Sequence, residues 1–99
     1  MTARLVLREP GHYRLEGAVR FDAPLPDELQ SPEIVPVAGR VIVALDGLER
    51  ADSVVLALLV EWVRRARAEC FRLVVAEVPD RLQALIRVTG LGPILADGP

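Results

Sequence analysis

The sequence predicts a mixed α/β domain, and three observations carry that prediction. From Arg40 onward, two short β-branched apolar runs (residues 40–45 and 71–76) alternate with two segments of helical period. Strand–helix–strand order implies a crossover and hence a parallel portion of sheet. Earlier in the chain, residues 3–8 and 12–16 flank Pro10-Gly11, a pair suited to a type II turn, and so read as a β-hairpin that makes the sheet mixed. A chain of 99 residues is long enough to bury one core without disulfides or metal, so residues 1–99 are read as a single domain.

Composition narrows the function. With 12 basic and 14 acidic residues the formal charge is −2, which supplies no electropositive field for a nucleic-acid backbone. The basic residues are all arginine, and no function is drawn from that. Cys70 is the lone cysteine and His12 the lone histidine, too few for an intramolecular disulfide or a four-ligand zinc site. No metal or other cofactor is expected. The longest apolar run, residues 54–60, falls short of the roughly 20 residues a spanning helix needs. Met1-Thr2-Ala3-Arg4 leads into no signal-peptide core, so a soluble cytoplasmic protein is expected.

Taken in order, the N-terminal hairpin leads into residues 17–37, where Pro24, Pro26, Pro32 and Pro36 preclude a continuous helix. Two short pieces are expected there. Residues 26–30 could form one turn, and Ser31-Pro32 places a capping serine before an N1 proline, with Pro36 as a stop. Residues 40–45, RVIVAL, read as a central strand covered on both faces. Asp46-Gly47 is expected to turn the chain, and Asp52 or Ser53 to cap a helix over residues 53–69. Residues 71–76 form the next strand. Pro79-Asp80 opens a second helix with Leu82, Leu85, Ile86 and Thr89 at helical spacing, and Gly90 stops it. Residues 91–95 are apolar enough to dock on the body, and residues 96–99 are expected to fray.

The first helix carries an apolar surplus. At steps of about 100° per residue, Val55, Leu59, Trp62, Val63 and Ala66 share one face and form the predicted core stripe. Glu61, Arg64, Arg65 and Ala68 fall opposite. Val54, Ala57 and Leu58 lie on the outward side, just N-terminal to those charges, as a candidate docking patch. Covering Val54 and Leu58 with a partner would contribute about 1.5–3 kcal/mol per side chain. The alternative is that residues 17–37 or the C-terminal tail cover them. On the docking reading, Leu58→Asp should leave the domain folded, whereas Leu59→Asp should unfold it.

The segments VIVALDGLERADSVVLALL, WVRRARAE, RLVVAEV, PDRLQALIRVTGL and a terminal IL together resemble the STAS domain. Within that family the chain is most similar to the MlaB-like cytoplasmic STAS subunit of Mla-type lipid-asymmetry ABC transporters. The resemblance is clearest over residues 40–95, and Leu15-Glu16-Gly17-Ala18-Val19 with Phe21-Asp22 resembles the family's second strand and its exit. It implies an α/β fold with a mixed sheet and helices packed on one side, no catalytic chemistry, and action by docking on the ABC-transporter ATPase in a complex with its permease. The protein would then sit at the inner membrane through that complex. STAS proteins of the anti-sigma-factor antagonist type carry a phosphorylatable serine in an Asp-Ser-x-Gly-Leu setting, and Asp52-Ser53 occupies the matching positions. Transporter subunits have a serine or threonine there at the ATPase contact. Val55 departs from the glycine usual in both groups.

The resemblance therefore implies a partner face made of Asp52, Ser53, Val54, Ala57, Leu58, Glu61, Arg64 and Arg65. In this face Ser53 would give a hydrogen bond and the charged residues an orienting rim. The alternative is an anti-sigma factor antagonist switched by a partner kinase that phosphorylates Ser53; helix capping alone would also account for that serine. An enzyme reading finds no support: Cys70 has no identifiable base, and there is no glycine-rich loop or paired-carboxylate motif. Asp46, Glu49 and Asp52 gather in one loop that could hold a cation, although solvated loop charges account for them as well.

Overall fold

The computed structural model describes residues 3–18, 29, 33–49 and 53–90. Strand β1 (Arg4–Glu9) turns through Pro10-Gly11 into β2 (His12–Gly17), and the two pair antiparallel. Gly11 holds φ 79°, the left-handed conformation the turn was expected to require, and a Cβ there would lie 3.0 Å from Val37 Cβ. Residues 33–36 are not helical, and Val35 N–H donates to the Tyr13 hydroxyl at 2.9 Å. The expected short helix started by Ser31-Pro32 is therefore absent over its described part. A tyrosine hydroxyl at the edge of the core takes up the backbone donor that a helical turn would have used. Of the expected turn over residues 26–30 only Leu29 is described. It is helical and fully buried.

Val37 and Arg40 then exchange backbone hydrogen bonds of 3.0 and 3.1 Å across a tight turn, with Ala38 at φ 54° and Gly39 at φ 75°. Strand β3 (Arg40–Leu48) follows and pairs parallel with β2 on one side and with β4 (Arg72–Ala76) on the other, giving the order β1-β2-β3-β4. The expected mixed sheet is present. Strand β3 runs three residues past its expected end, because Asp46 and Gly47 stay in the ladder instead of turning: Glu16 pairs with Gly47 and Gly17 with Leu48. Glycine serves here by its size. A Cβ on Gly47 would lie 2.9 Å from Arg14 Nε and 3.1 Å from the Leu15 carbonyl oxygen, so β2 can approach only a residue without a side chain.

Helix α1 (Ser53–Ala68) and helix α2 (Asp80–Thr89) bracket β4. Alternation along the strands turns Tyr13, Leu15, Val41, Val43, Leu45 and Leu73 to one face, where they form the core with Val55, Leu59, Trp62, Val63 and Leu82. The expectation that β3 is covered on both faces holds in full on that side only, since on the other Ala44 is buried, Ile42 half-buried and Arg40 and Asp46 exposed. Arg65 and Arg67 occupy the last turn of α1, where cations complement the helix dipole. That helix ends in a Schellman motif: Phe71 N–H donates to the Ala66 carbonyl at 2.9 Å, and Cys70 N–H to the Arg67 carbonyl at 3.2 Å. Cys70 sits at the left-handed position with φ 64°.

That geometry makes a prediction. Cys70→Gly removes a Cβ from a conformation costing a side chain about 1 kcal/mol. Because Cys70 is exposed, no packing is lost. The variant should be more stable by roughly 0.5–1 kcal/mol, read as a rise of several degrees in Tm; an unchanged or lower Tm would contradict the role assigned to this cap. At α2, Gly90 with φ 74° donates its N–H to the Ile86 carbonyl and stops the helix where expected. Thr89, read as part of the apolar spacing, is exposed, and its hydroxyl donates back to the Leu85 carbonyl at 2.9 Å. The expected docking of residues 91–95 and fraying of 96–99 lie outside the described residues. Among those described, no helix is long and apolar enough to cross a membrane.

Candidate functional site

The candidate surface is the outward side of α1 with the loop that leads into it. The core stripe is placed as projected: Val55, Leu59 and Ala66 are fully buried, and Trp62 and Val63 nearly so. Burial extends beyond it on both flanks, to Leu56 on one side and Leu58 on the other, so the covered arc spans roughly 160° of the helix. Leu58, predicted to be outward, is only 7% exposed and belongs to the core. Val54 is half-buried and also packs on the core. These two placements correct the projected patch.

The physical reason is that residues outside the sheet also pack against the core that α1 joins. Trp62 Nε1 donates to the Leu29 carbonyl at 2.9 Å in the interior, and Leu29 and Ile34 join the hydrophobic cluster. The segment that was the alternative cover for this face has thus reached the helix. Sequence periodicity shows where a stripe is centred but not how many neighbours flank it.

What stays exposed is a straight stripe of Ala57, Glu61, Arg64 and Ala68, spaced at i, i+4, i+7 and i+11. Glu61 and Arg64 pair at 3.4 Å with both side chains well solvated, which makes the pair a weak contributor to stability. Arg65 is half-buried at the stripe's edge, its Nε donating to Glu69 at 2.7 Å. Of the predicted partner residues the structure therefore gathers Ala57, Glu61 and Arg64 on one open face. Val54 and Arg65 lie at its margins, and Leu58 is removed. Asp52 lies outside the described residues, as does the side chain of Ser53, whose backbone opens the helix.

Of the three carboxylates expected to gather before α1, Asp46 lies in β3, Glu49 follows it and Asp52 is outside the described residues. Asp46 Oδ1 accepts from Arg14 Nε at 3.1 Å, Arg14 also pairs with Glu16 at 3.1 Å, and Glu49 is exposed. The Asp46 carboxylate that could have held a cation is occupied by a guanidinium. His12 Nδ1 lies 3.7 Å from Glu9 Oε1, across the β1–β2 pair where the register shifts between Leu7 and Glu9. Residues 2–96 match the model of a family described as "Mlab, STAS domain". No curated protein matches the chain.

Proposed function

Because this chain belongs to the STAS domain family, of MlaB type, we propose that it is a non-enzymatic subunit that docks on the ATPase of a phospholipid-transporting ABC system. In this reading the N-terminal half of α1 and residues 47–53, which join the end of β3 to it, seat on the nucleotide-binding subunit, in a complex with its permease, and support assembly or activity of that ATPase. The observation that carries the reading is the composition of the open α1 face. A small residue, Ala57, lies at its N-terminal end beside half-buried Val54, with the Glu61 and Arg64 charges one turn behind. A small side chain lets a partner backbone approach closely, and a mixed-sign rim fixes orientation more than affinity. Ser53 at the first helical position would supply a hydrogen bond to the partner.

The test uses Ala57→Glu. The substitution keeps a good helix former at an exposed position, so fold stability should change by no more than about 0.5 kcal/mol. It places a charge at the centre of the proposed contact. Tagged wild-type protein purified from its native host should bring down an ABC ATPase and permease, and the variant should lose at least tenfold of that recovery. Full recovery by the variant would refute this docking face. Recovery of an anti-sigma factor kinase by the wild type would establish the alternative partner instead.

A further inference from the structure

We propose that the N-terminal end of the parallel strands, on the sheet face opposite both helices, binds a compact phosphate-bearing anion such as inorganic phosphate or a phosphate monoester. This site is separate from the α1 surface, since α1 starts beyond the other end of β3. Arg40 and Arg72 are register partners on β3 and β4, and His12 on β2 pairs with Ile42, two residues along β3 from Arg40. Period-2 alternation puts Arg40, Ile42, His12 and Arg72 on the same face. Adjacent strands are about 4.7–4.9 Å apart, so three groups able to carry positive charge or donate hydrogen bonds converge from three strands.

These groups line a depression of about 470 Å³, together with Pro10, Gly11, Val37, Ala38, Gly39 and Ile42. No carboxylate is among the described lining residues. Glu9 lies 3.7 Å from His12 Nδ1 and is outside that lining.

The contrast with the far end of the same face supports the reading. There Arg14 is held between Glu16 and Asp46, each at 3.1 Å, and Arg4 lies 3.8 Å from Glu16, so the cations are neutralised within the fold. At the Arg40 end, Arg40 stands directly across from the like charge of Arg72, a pairing that is destabilising in itself. Arg40 has no acidic partner among the described residues. Arg72 holds a further interaction of its own, so Arg40 is the cation that anchors the site. A guanidinium offers a planar fork that matches two oxygens of a phosphate. Pro10, Val37 and Ile42 give the depression apolar walls, and Gly39 has open space where a side chain would stand, leaving room for close approach.

Titrating ¹⁵N-labelled protein with inorganic phosphate at constant ionic strength tests this. Saturable amide shifts confined to Gly11, Ala38, Gly39, Arg40 and Arg72 are expected, with half-saturation in the low-millimolar range. Arg40→Gln should weaken the apparent affinity at least fivefold with amide dispersion preserved. Arg81→Gln, at an exposed position on α2, should leave it unchanged. Shifts that grow linearly with phosphate, that chloride reproduces, or that Arg81→Gln weakens as much as Arg40→Gln would overturn the proposal. A phosphate monoester such as glycerol 3-phosphate binding at least as tightly as inorganic phosphate would identify a monoester as the ligand, whereas weaker binding would assign the site to the free ion.

Discussion

Leu58→Asp is expected to unfold the isolated domain, as Leu59→Asp is. Leu58 is 7% exposed and Leu59 fully buried, both within the same hydrophobic cluster. An aspartate at either position must bury an unpaired carboxylate or force the helix off the core, at a cost of about 4 kcal/mol or more. A domain of this size has roughly 5–15 kcal/mol of total stability, so one such change removes most of it at the lower end of that range. The measurement is amide dispersion and the cooperativity of urea unfolding. Native dispersion for Leu58→Asp with an unchanged midpoint would mean that Leu58 faces outward, as the projection along the helix suggested, and would restore it to the docking surface. Set beside Ala57→Glu, the variant separates folding from docking at adjacent residues: one should lose the fold, the other only the partner.

Trp62→Ala should cost about 3–5 kcal/mol, the range for removing a large aromatic from a packed core. Trp62 is 2% exposed, and its indole N–H donates to the Leu29 carbonyl at 2.9 Å. Two contributions are therefore lost together, the packing volume and the side-chain hydrogen bond that ties residue 29 to α1. Trp62→Phe keeps most of the ring and removes the indole donor from that carbonyl, at a cost of about 1 kcal/mol. The difference between the two variants divides volume from hydrogen bonding. Trp62 is the chain's single tryptophan, so its fluorescence follows unfolding of this junction in the wild type, and circular dichroism serves the variants. A Trp62→Phe midpoint equal to wild type would show that the bond to Leu29 contributes nothing net.

The elements legible from the sequence were those specified by local chemistry. Pro10-Gly11 marked the hairpin because one residue presets φ and the other accepts φ 79°. Gly90 marked the end of α2 for the same reason. Strand β3 was underestimated because Asp46-Gly47 carries a turn signal locally, whereas Gly47 is held in the ladder by β2, whose Arg14 and Leu15 crowd it. Residues 33–36 were misread as helical because a serine and proline suggested a cap, while the Tyr13 hydroxyl, distant in sequence, takes the Val35 N–H.

The candidate surface was legible in part. Ala57, Glu61 and Arg64 are exposed as projected, and Leu58 is not. Helical angle places the centre of a buried stripe; its width depends on how many elements flank the helix, which no window of sequence contains. The resemblance to STAS domains carried the expected partner and the interest in Asp52 and Ser53.

By itself, then, the sequence determined the order of the four strands and two long helices, the mixed hairpin-plus-crossover topology, and the inward stripe of Val55, Leu59, Trp62, Val63 and Ala66, because each follows from periodicity and turn residues within a few positions. Tertiary structure alone decided that Leu58 is core, that β3 continues to Leu48, and that His12, Arg40 and Arg72 meet at one end of the sheet. Those outcomes depend on register and packing between segments far apart in the chain, where the neighbour rather than the residue sets what is buried and what is charged.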